Sequence, residues 1–165
     1  MMRTNDFMKQ KDRLIAIIER DQEKLIDALI GYEPYATAKD EIERSLITLK
    51  GLEKEFTKIK SSIKVDSVST FFPINLPLYS LVLFAIAPSY FAGTVHVRVS
   101  DHISAVLGEL SEILNLEELF PAIQLKSYER KRFSDECVKK SDVILFCGRY
   151  ENALAIRKEN SDALF

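Results

Sequence analysis

The sequence predicts an α/β fold: a helical hairpin followed by a mostly parallel, three-layer αβα sheet of about four to five strands. Three observations carry this. Charge is uneven: residues 1–64 hold 25 of the 48 charged residues, residues 65–125 hold 7 and residues 126–165 hold 16. The charged first third therefore reads as exposed amphipathic helices, and the apolar middle as buried structure. Apolar spacing near 3.6 in that first third gives way, after residue 63, to short β-branched runs. Those runs alternate with helical segments, as βαβ units with parallel strands do.

The elements follow in order. In Asp12–Tyr32 the apolar positions Leu14, Ile15, Ile17, Ile18, Leu25, Ile26, Leu29 and Ile30 define one helix, with Gly31 and Pro34 as stop signals. A second helix is expected from Ala36 to Lys60, striped by Ile42, Leu46, Ile47, Leu49, Leu52, Phe56 and Ile59. Its Gly51 weakens continuity without demanding a break. The hairpin so defined occupies residues 1–62, and the sheet residues 63–165.

Val65, Val68, Phe71 and Phe72 mark a strand ended by Pro73. Leu78–Phe91, apolar nearly all round, fits a helix buried against a sheet and stopped by Gly93. Thr94–Val99 alternates as a strand, and Asp101 is placed to cap a helix Ile103–Leu114. Ala122–Leu125 is a short strand, Tyr128–Lys140 a charged helix and Asp142–Phe146 a compact buried strand. Gly148 and a helix Glu151–Lys158 come next, then Ala163–Phe165 as a last short strand. Ligands of parallel sheets sit at the carboxyl ends of the strands, near helix N-termini.

Composition narrows the function classes. The chain has 165 residues, 47% apolar and 29% charged, enough for a proper core. A net charge of −2 gives no footprint for nucleic acid. Cys137 and Cys147 are the only cysteines, which points to a reducing, cytoplasmic setting and to neither a disulfide framework nor a metal site. The polar start MMRTNDFMKQKDR lacks the apolar stretch of a signal peptide. Between Asp66 and Arg98 no residue is charged, but Pro73, Pro77, Pro88, Asn75 and Ser80 interrupt the run, which reads as core rather than as a membrane span.

Candidate chemistry centres on Asn75, held between Pro73 and Pro77 at a strand-to-helix transition. A turn fixed by two prolines aims the amide with little freedom, which suits a donor to a developing oxyanion; the alternative is an Asn that caps the following helix. His96, between Val95 and Val97, points to the opposite sheet face from both and reads as structural. His102 lies at a helix start. Cys147 reads as a small buried hydrophobe at a strand end, and Cys137 as a helix residue without a special role. The cluster KSYERKR, residues 126–132, reads as a solvated helix face.

The run FFPINLPLYSLVLFAIAPSYFAG followed by TVHVRVSD resembles the cofactor-domain segment of the aldehyde dehydrogenase superfamily, including its acyl-reductase branches. The family pattern there is Pro-x-Asn-x-Pro, a helix ending Ala-Pro-x-x-x-Ala-Gly-Asn, and a strand ending Lys-Pro-Ser-Glu. SDVILFCGRYENA resembles the family's Asp-x-Ile-x-Phe-Thr-Gly-Ser-x-x-x-Gly, and RLIAIIERDQEKLIDAL with DEIERSL is similar to its preceding paired helices. The resemblance runs from about residue 10 to 165 and implies a Rossmann-like sheet that binds NAD or NADP.

By that resemblance Asn75 stabilises the oxyanion, Arg98 matches the Lys that contacts the adenosine ribose, and Asp101 the nearby acidic residue. Gly148 and Arg149 match the Gly-Ser pair where a helix N-terminus approaches the pyrophosphate. The departures are a missing Asn after Gly93, Val99 for Pro, Arg149 for Ser and Ala153 for the second Gly. Small residues let a backbone approach phosphates; a bulky Arg149 either blocks that approach or supplies a cation. Between the second helix and Val65 there is no room for the β-arm that many family members use to oligomerise. The resemblance places the catalytic cysteine and the general-base Glu beyond these residues. It implies a truncated protein, inactive alone, that pairs with a second chain or C-terminal half carrying the cysteine, or that forms a homo-oligomer. A non-catalytic nucleotide-binding or subunit-assembly module is the alternative.

Overall fold

In the computed structural model, which describes residues 4–59 and 64–165, the first helix begins well before the apolar stripe that marks it. Helix α1 runs Thr4–Arg20 and α2 runs Gln22–Ile30, so the expected single helix Asp12–Tyr32 is corrected at its start and in its middle. The early start has an apolar cause: Phe7 is 1% exposed, set against the rings of Phe56, Tyr90 and Phe120. The break falls at Asp21, whose backbone (φ −105°, ψ 28°) leaves helical geometry. Aspartate competes with the helix for local hydrogen bonds. Here its buried carboxylate pairs with Arg20 and, at 2.9 Å, with Lys24.

Helix α3, Tyr35–Phe56, follows Pro34, whose carbonyl accepts bonds from the N–H groups of Thr37 and Ala38. Gly51 lies inside it without a break. The N-terminal hairpin thus has a first arm broken into α1 and α2, both packed on α3. The expected helix end at Lys60 and the boundary at residues 62 and 63 lie outside the described residues.

Four parallel strands follow: β1 Val65–Phe71, β2 Ala92–Arg98, β3 Ile123–Lys126 and β4 Val143–Phe146, in the spatial order β3-β2-β1-β4. The expected last strand is reduced to a single parallel bridge between Leu164 and Val143. The chain moves outward from β1 to β3, then returns to place β4 on the other side of β1. That reversal opens the kind of crevice where ligands of open α/β sheets bind.

Helix α4 joins β1 to β2. It opens as Pro77–Leu81, widens into a π-helical turn at Val82–Ile86 and closes as Ala87–Ser89. Proline explains the widening. Pro88 has no N–H for the carbonyl of Phe84, and Ala87 N–H reaches back five residues to Val82 O. The freed Phe84 carbonyl accepts the Thr70 hydroxyl at 2.9 Å, which ties α4 to the central strand. Helix α5, Asp101–Ile113, is preceded by Ser100 at the N-cap, so the expected cap Asp101 lies instead in the first turn. The short helix α6, Leu116–Leu119, which the spacing did not mark, leads into β3.

Helix α7, Arg130–Glu136, with a 3₁₀ turn at Val138–Lys140, joins β3 to β4, and helix α8 spans Tyr150–Glu159. The sheet is covered on both faces. Val68, Phe72, Val95 and Val97 face a core shared with α1 to α6, which includes Leu14, Leu29, Leu49 and Leu81. Phe71 and Ile144 face the other way, onto a smaller cluster of Phe133, Cys137, Val138 and Ile156. No described helix is long and apolar enough to cross a membrane.

Phe7 links the helical part to the sheet layer through three aromatic rings. Phe7→Ala is expected to lower stability by about 3–5 kcal/mol, measured by urea unfolding.

Candidate functional site

The carboxyl ends of the strands form one row. Phe71 is the register partner of Arg98 on one side and of Phe146 on the other, and Arg98 partners Lys126. Side chains in such a row share a sheet face. Here it is the face that carries the smaller core. Adjacent strands are about 4.8 Å apart, so Arg98 and the end of β4 are separated by roughly 10 Å.

Arg98 is half-buried, and its Nε donates to Tyr128 O at 3.1 Å. Burial and the neighbouring Arg130 push its guanidinium below the ordinary value, while Asp101 opposes them. It remains a cation at any ordinary pH. Arg132 lies over the Tyr128 ring, 4.1 Å from its centroid, so this end of the sheet gathers several positive groups. Asp101 is exposed at the start of α5.

Two residues beyond β4, Gly148 packs under the ring of Phe146: a Cβ there would lie 2.7 Å from the ring, so glycine is the side-chain-free fit. Arg149 is the N-cap of α8, and its carbonyl accepts from the N–H groups of Asn152 and Ala153. Its side chain makes no capping bond, and the residue is exposed. Helix starts carry unpaired N–H groups and partial positive charge. Arg98, Gly148 and Arg149 thus share one end of the sheet, which carries two guanidinium groups and a helix N-terminus. Between α7 and α8 lies a cavity of about 700 Å³ bordered by Phe71, Arg130, Lys131, Asp135, Ile156 and Glu159, and by none of Arg98, Gly148 and Arg149.

Asn75 stands apart. It borders a different open cavity, of about 690 Å³, with Tyr32, Glu33, Thr37, Leu76 and His102 around it. Neither Arg98 nor Gly148 nor Arg149 lines that cavity. The Asn75 side chain is exposed and does not cap α4, so the capping alternative is corrected. Leu76 takes the N-cap position in the left-handed region (φ 51°), which non-glycine residues populate sparsely. Ser80 closes the turn, its hydroxyl donating to Asn75 O at 2.9 Å and its N–H to Leu76 O at 2.8 Å.

A residue outside the expected set caps α4. Glu41 of α3 is 0% exposed, and its Oε1 accepts the Tyr79 N–H at 2.7 Å. A signal for it exists in the sequence: Ala38, Glu41, Ser45, Leu49, Leu52 and Phe56 recur at helical spacing, which puts Glu41 on the buried stripe. Tyr128 and Arg130, which frame Arg98, carry no comparable signal.

His96 lies half-buried on the opposite face from Val95 and Val97, as the alternation predicts. Burial, then Lys126, push its pKa down, and Gln124 opposes them. Cys137 is buried, and burial pushes its thiol up. Cys147 is exposed at the end of β4, which corrects its reading as a buried hydrophobe: β4 ends at Phe146 and the chain leaves the sheet. Among the described residues no group of three or more His, Cys, Asp or Glu could hold a metal ion.

No family model matches the chain, and no curated protein matches it. Solved structures do. Aldehyde dehydrogenase 21 from Physcomitrella patens, solved with its reaction product succinate, superposes with a TM-score of 0.77 at 17% identity over 99% of this chain and 39% of its own. Glyceraldehyde-3-phosphate dehydrogenase GapN from Methanocaldococcus jannaschii, complexed with NADP, gives 0.73 at 21% identity over 96% of this chain and 40% of its own. The NADP-dependent glyceraldehyde-3-phosphate dehydrogenase from Bacillus halodurans, also complexed with NADP, gives 0.68 at 18% identity, covering 93% and 38%. The chain therefore spans about two fifths of the length of these structures, and over that span it has the aldehyde dehydrogenase fold.

Proposed function

We propose that this chain is the cofactor-domain portion of an NAD(P)-linked aldehyde dehydrogenase or acyl reductase, working in a cytoplasmic setting. The observation that carries the reading is the gathering of Arg98 and the Gly148–Arg149 turn at one end of a parallel sheet of that fold. A dinucleotide is anionic at its pyrophosphate and polar at its ribose. The residues present fit such a group: Arg149 and the start of α8 would hold the pyrophosphate, and Arg98 with Asp101 the adenosine ribose. Bound there, the nicotinamide would supply hydride exchange. Arg149 acts in this reading as a phosphate cation, because its exposed side chain leaves the α8 N-terminus open.

Asn75 would donate its side-chain amide to the oxyanion formed on a carbonyl substrate. The nucleophilic thiolate belongs to a second chain or a C-terminal half, since neither buried Cys137 nor Cys147 matches its place in the family pattern. A homo-oligomer is compatible with that arrangement.

A second reading, a non-catalytic module for nucleotide binding or subunit assembly, is favoured by one feature. Leu164, exposed, bridges Val143 on the outer edge of β4, and Tyr150 and Leu154 are exposed on α8, the helix that follows β4: apolar groups suited to a partner.

Calorimetric titration with NAD and with NADP is expected to give saturable heat, with Arg98→Ala weakening binding by about tenfold or more. No heat at millimolar ligand would remove the nucleotide from both readings. The purified chain given NADH or NADPH with an aldehyde or acyl thioester is expected to show no turnover above the reagent background; clear turnover would overturn the assignment of the nucleophile to another segment.

A further inference from the structure

We propose that Glu33 and Glu41 share one proton in a buried carboxyl–carboxylate contact, and that this proton latches the Asn75 turn to the turn between α2 and α3. Glu41 is 0% exposed. Its Oε1 is occupied by the Tyr79 N–H at 2.7 Å, with the Leu78 N–H as a further donor to the same carboxyl group. Its Oε2 is buried and meets no N–H or other standing donor, and the same holds for Oε1 of Glu33. The Glu33 carboxyl group lies within hydrogen-bonding reach of that of Glu41. Ionised carboxylates only accept, so two of them in contact need a proton between them. With it, each orphaned oxygen satisfies the other. Without it, two like charges face each other where water does not reach.

The proton sits on Glu41, the deeper of the two. Burial first, and then the hydrogen bond to Glu33, push its carboxyl group up to about 9, against the opposing pull of the Tyr79 and Leu78 N–H groups. The surroundings supply no cation to reverse this. From the α2–α3 turn the facing groups are Tyr32 and Glu33, and from α4 they are the two backbone N–H groups. From α5 His102 borders the same cavity as Glu33, its ring against the Tyr32 ring at 5.8 Å. On α3 itself Lys39, Asp40, Glu43 and Arg44 are exposed, and none of the ion pairs among the described residues includes Glu41.

The latch spans three elements. Glu33 lies just beyond α2, Glu41 lies on α3, and Tyr79 is in the first turn of the helix that Asn75 precedes. The Tyr32 hydroxyl adds a second tie between the same turns by donating to Ile74 O. Asn75 is thereby held whatever it contacts, and its position depends on one proton. The sign of the pH dependence follows. A carboxyl group whose folded pKa is raised binds more protons folded than unfolded, so its stabilising contribution is complete below the unfolded value and is lost as pH rises towards 9.

The test uses the whole chain with ¹³C-carboxyl-labelled glutamate. One glutamate is expected to titrate with a midpoint near 9, and that signal vanishes in Glu41→Gln, whose amide donates to Glu33 at every pH. The Tyr79 amide is expected to lose exchange protection, and the Asn75 side-chain amide to shift, with the same midpoint. Between pH 5 and 9 the wild-type unfolding constant should rise by up to about tenfold per pH unit, and Glu41→Gln should flatten that slope. Glu33→Gln, which offers ionised Glu41 an amide donor, should move the midpoint towards the ordinary range. The shared proton is overturned if no wild-type glutamate titrates above about pH 6. The latch is overturned if Tyr79 and Asn75 stay constant through the titration. Both wild-type readouts stand even where a variant fails to fold.

Discussion

A strand with neighbours on both sides in a parallel sheet has two faces to bury, and β1 meets that constraint with an unusually polar sequence. Ser67, Ser69 and Thr70 all lie in it, and each hydroxyl finds a partner in another layer. Ser69 bonds the Ser141 hydroxyl at 2.7 Å, Ser67 donates to Lys140 O at 3.2 Å, and Thr70 donates to Phe84 O. A buried hydroxyl without a partner costs about 1–3 kcal/mol. Two of them, Ser69 and Thr70, are buried in the central strand and fix where the covering layers sit more narrowly than apolar contact alone, and half-buried Ser67 adds a third tie. The amide N–H groups of Asp66 and Ser67 add to this, both accepted by the Asp142 carboxylate at 2.8 and 2.9 Å.

From that strand the two faces diverge in character. One is sealed by six helices and carries most of the core. The other is covered only over β1 and β4, while Thr94, His96 and Arg98 of β2 and Lys126 of β3 are left half-buried. Cations collect at the carboxyl end of that thinner side, and the Asn75 cavity opens against the helical part. The reversal of strand order around β1 keeps the two regions at one end of the sheet while assigning them different walls.

What the sequence makes legible follows from which forces are local. Alternation in TVHVRV sends Val95 and Val97 inward and His96 outward, and the parallel sheet follows from strands alternating with helices. The start of α1 is not legible, because Phe7 is a lone apolar residue whose partners Phe56, Tyr90 and Phe120 are remote in the chain. The π turn is marked by Pro88 only in hindsight, since a proline there also fits an ordinary last turn. Asn75 lies in the turn between its two prolines, yet the carboxylate that caps the following helix is Glu41, some thirty residues earlier, and a charged residue in a charged helix draws no notice. Arg98 and Gly148 reach the same sheet end through strand register, which no local pattern displays.

Leu164 has a consequence for how the sheet grows. Its N–H donates to Asp142 O and its carbonyl accepts from Ile144 N–H, at 2.9 and 2.8 Å, the first rung of a parallel ladder on the outer edge of β4. Outward-facing groups alternate along a parallel strand, so the next ones belong to Ile144 O and Phe146 N–H. A fifth strand templated here has its direction and phase already dictated. It runs with β4. The Phe146 and Phe165 rings stack beside that edge with centroids 6.5 Å apart.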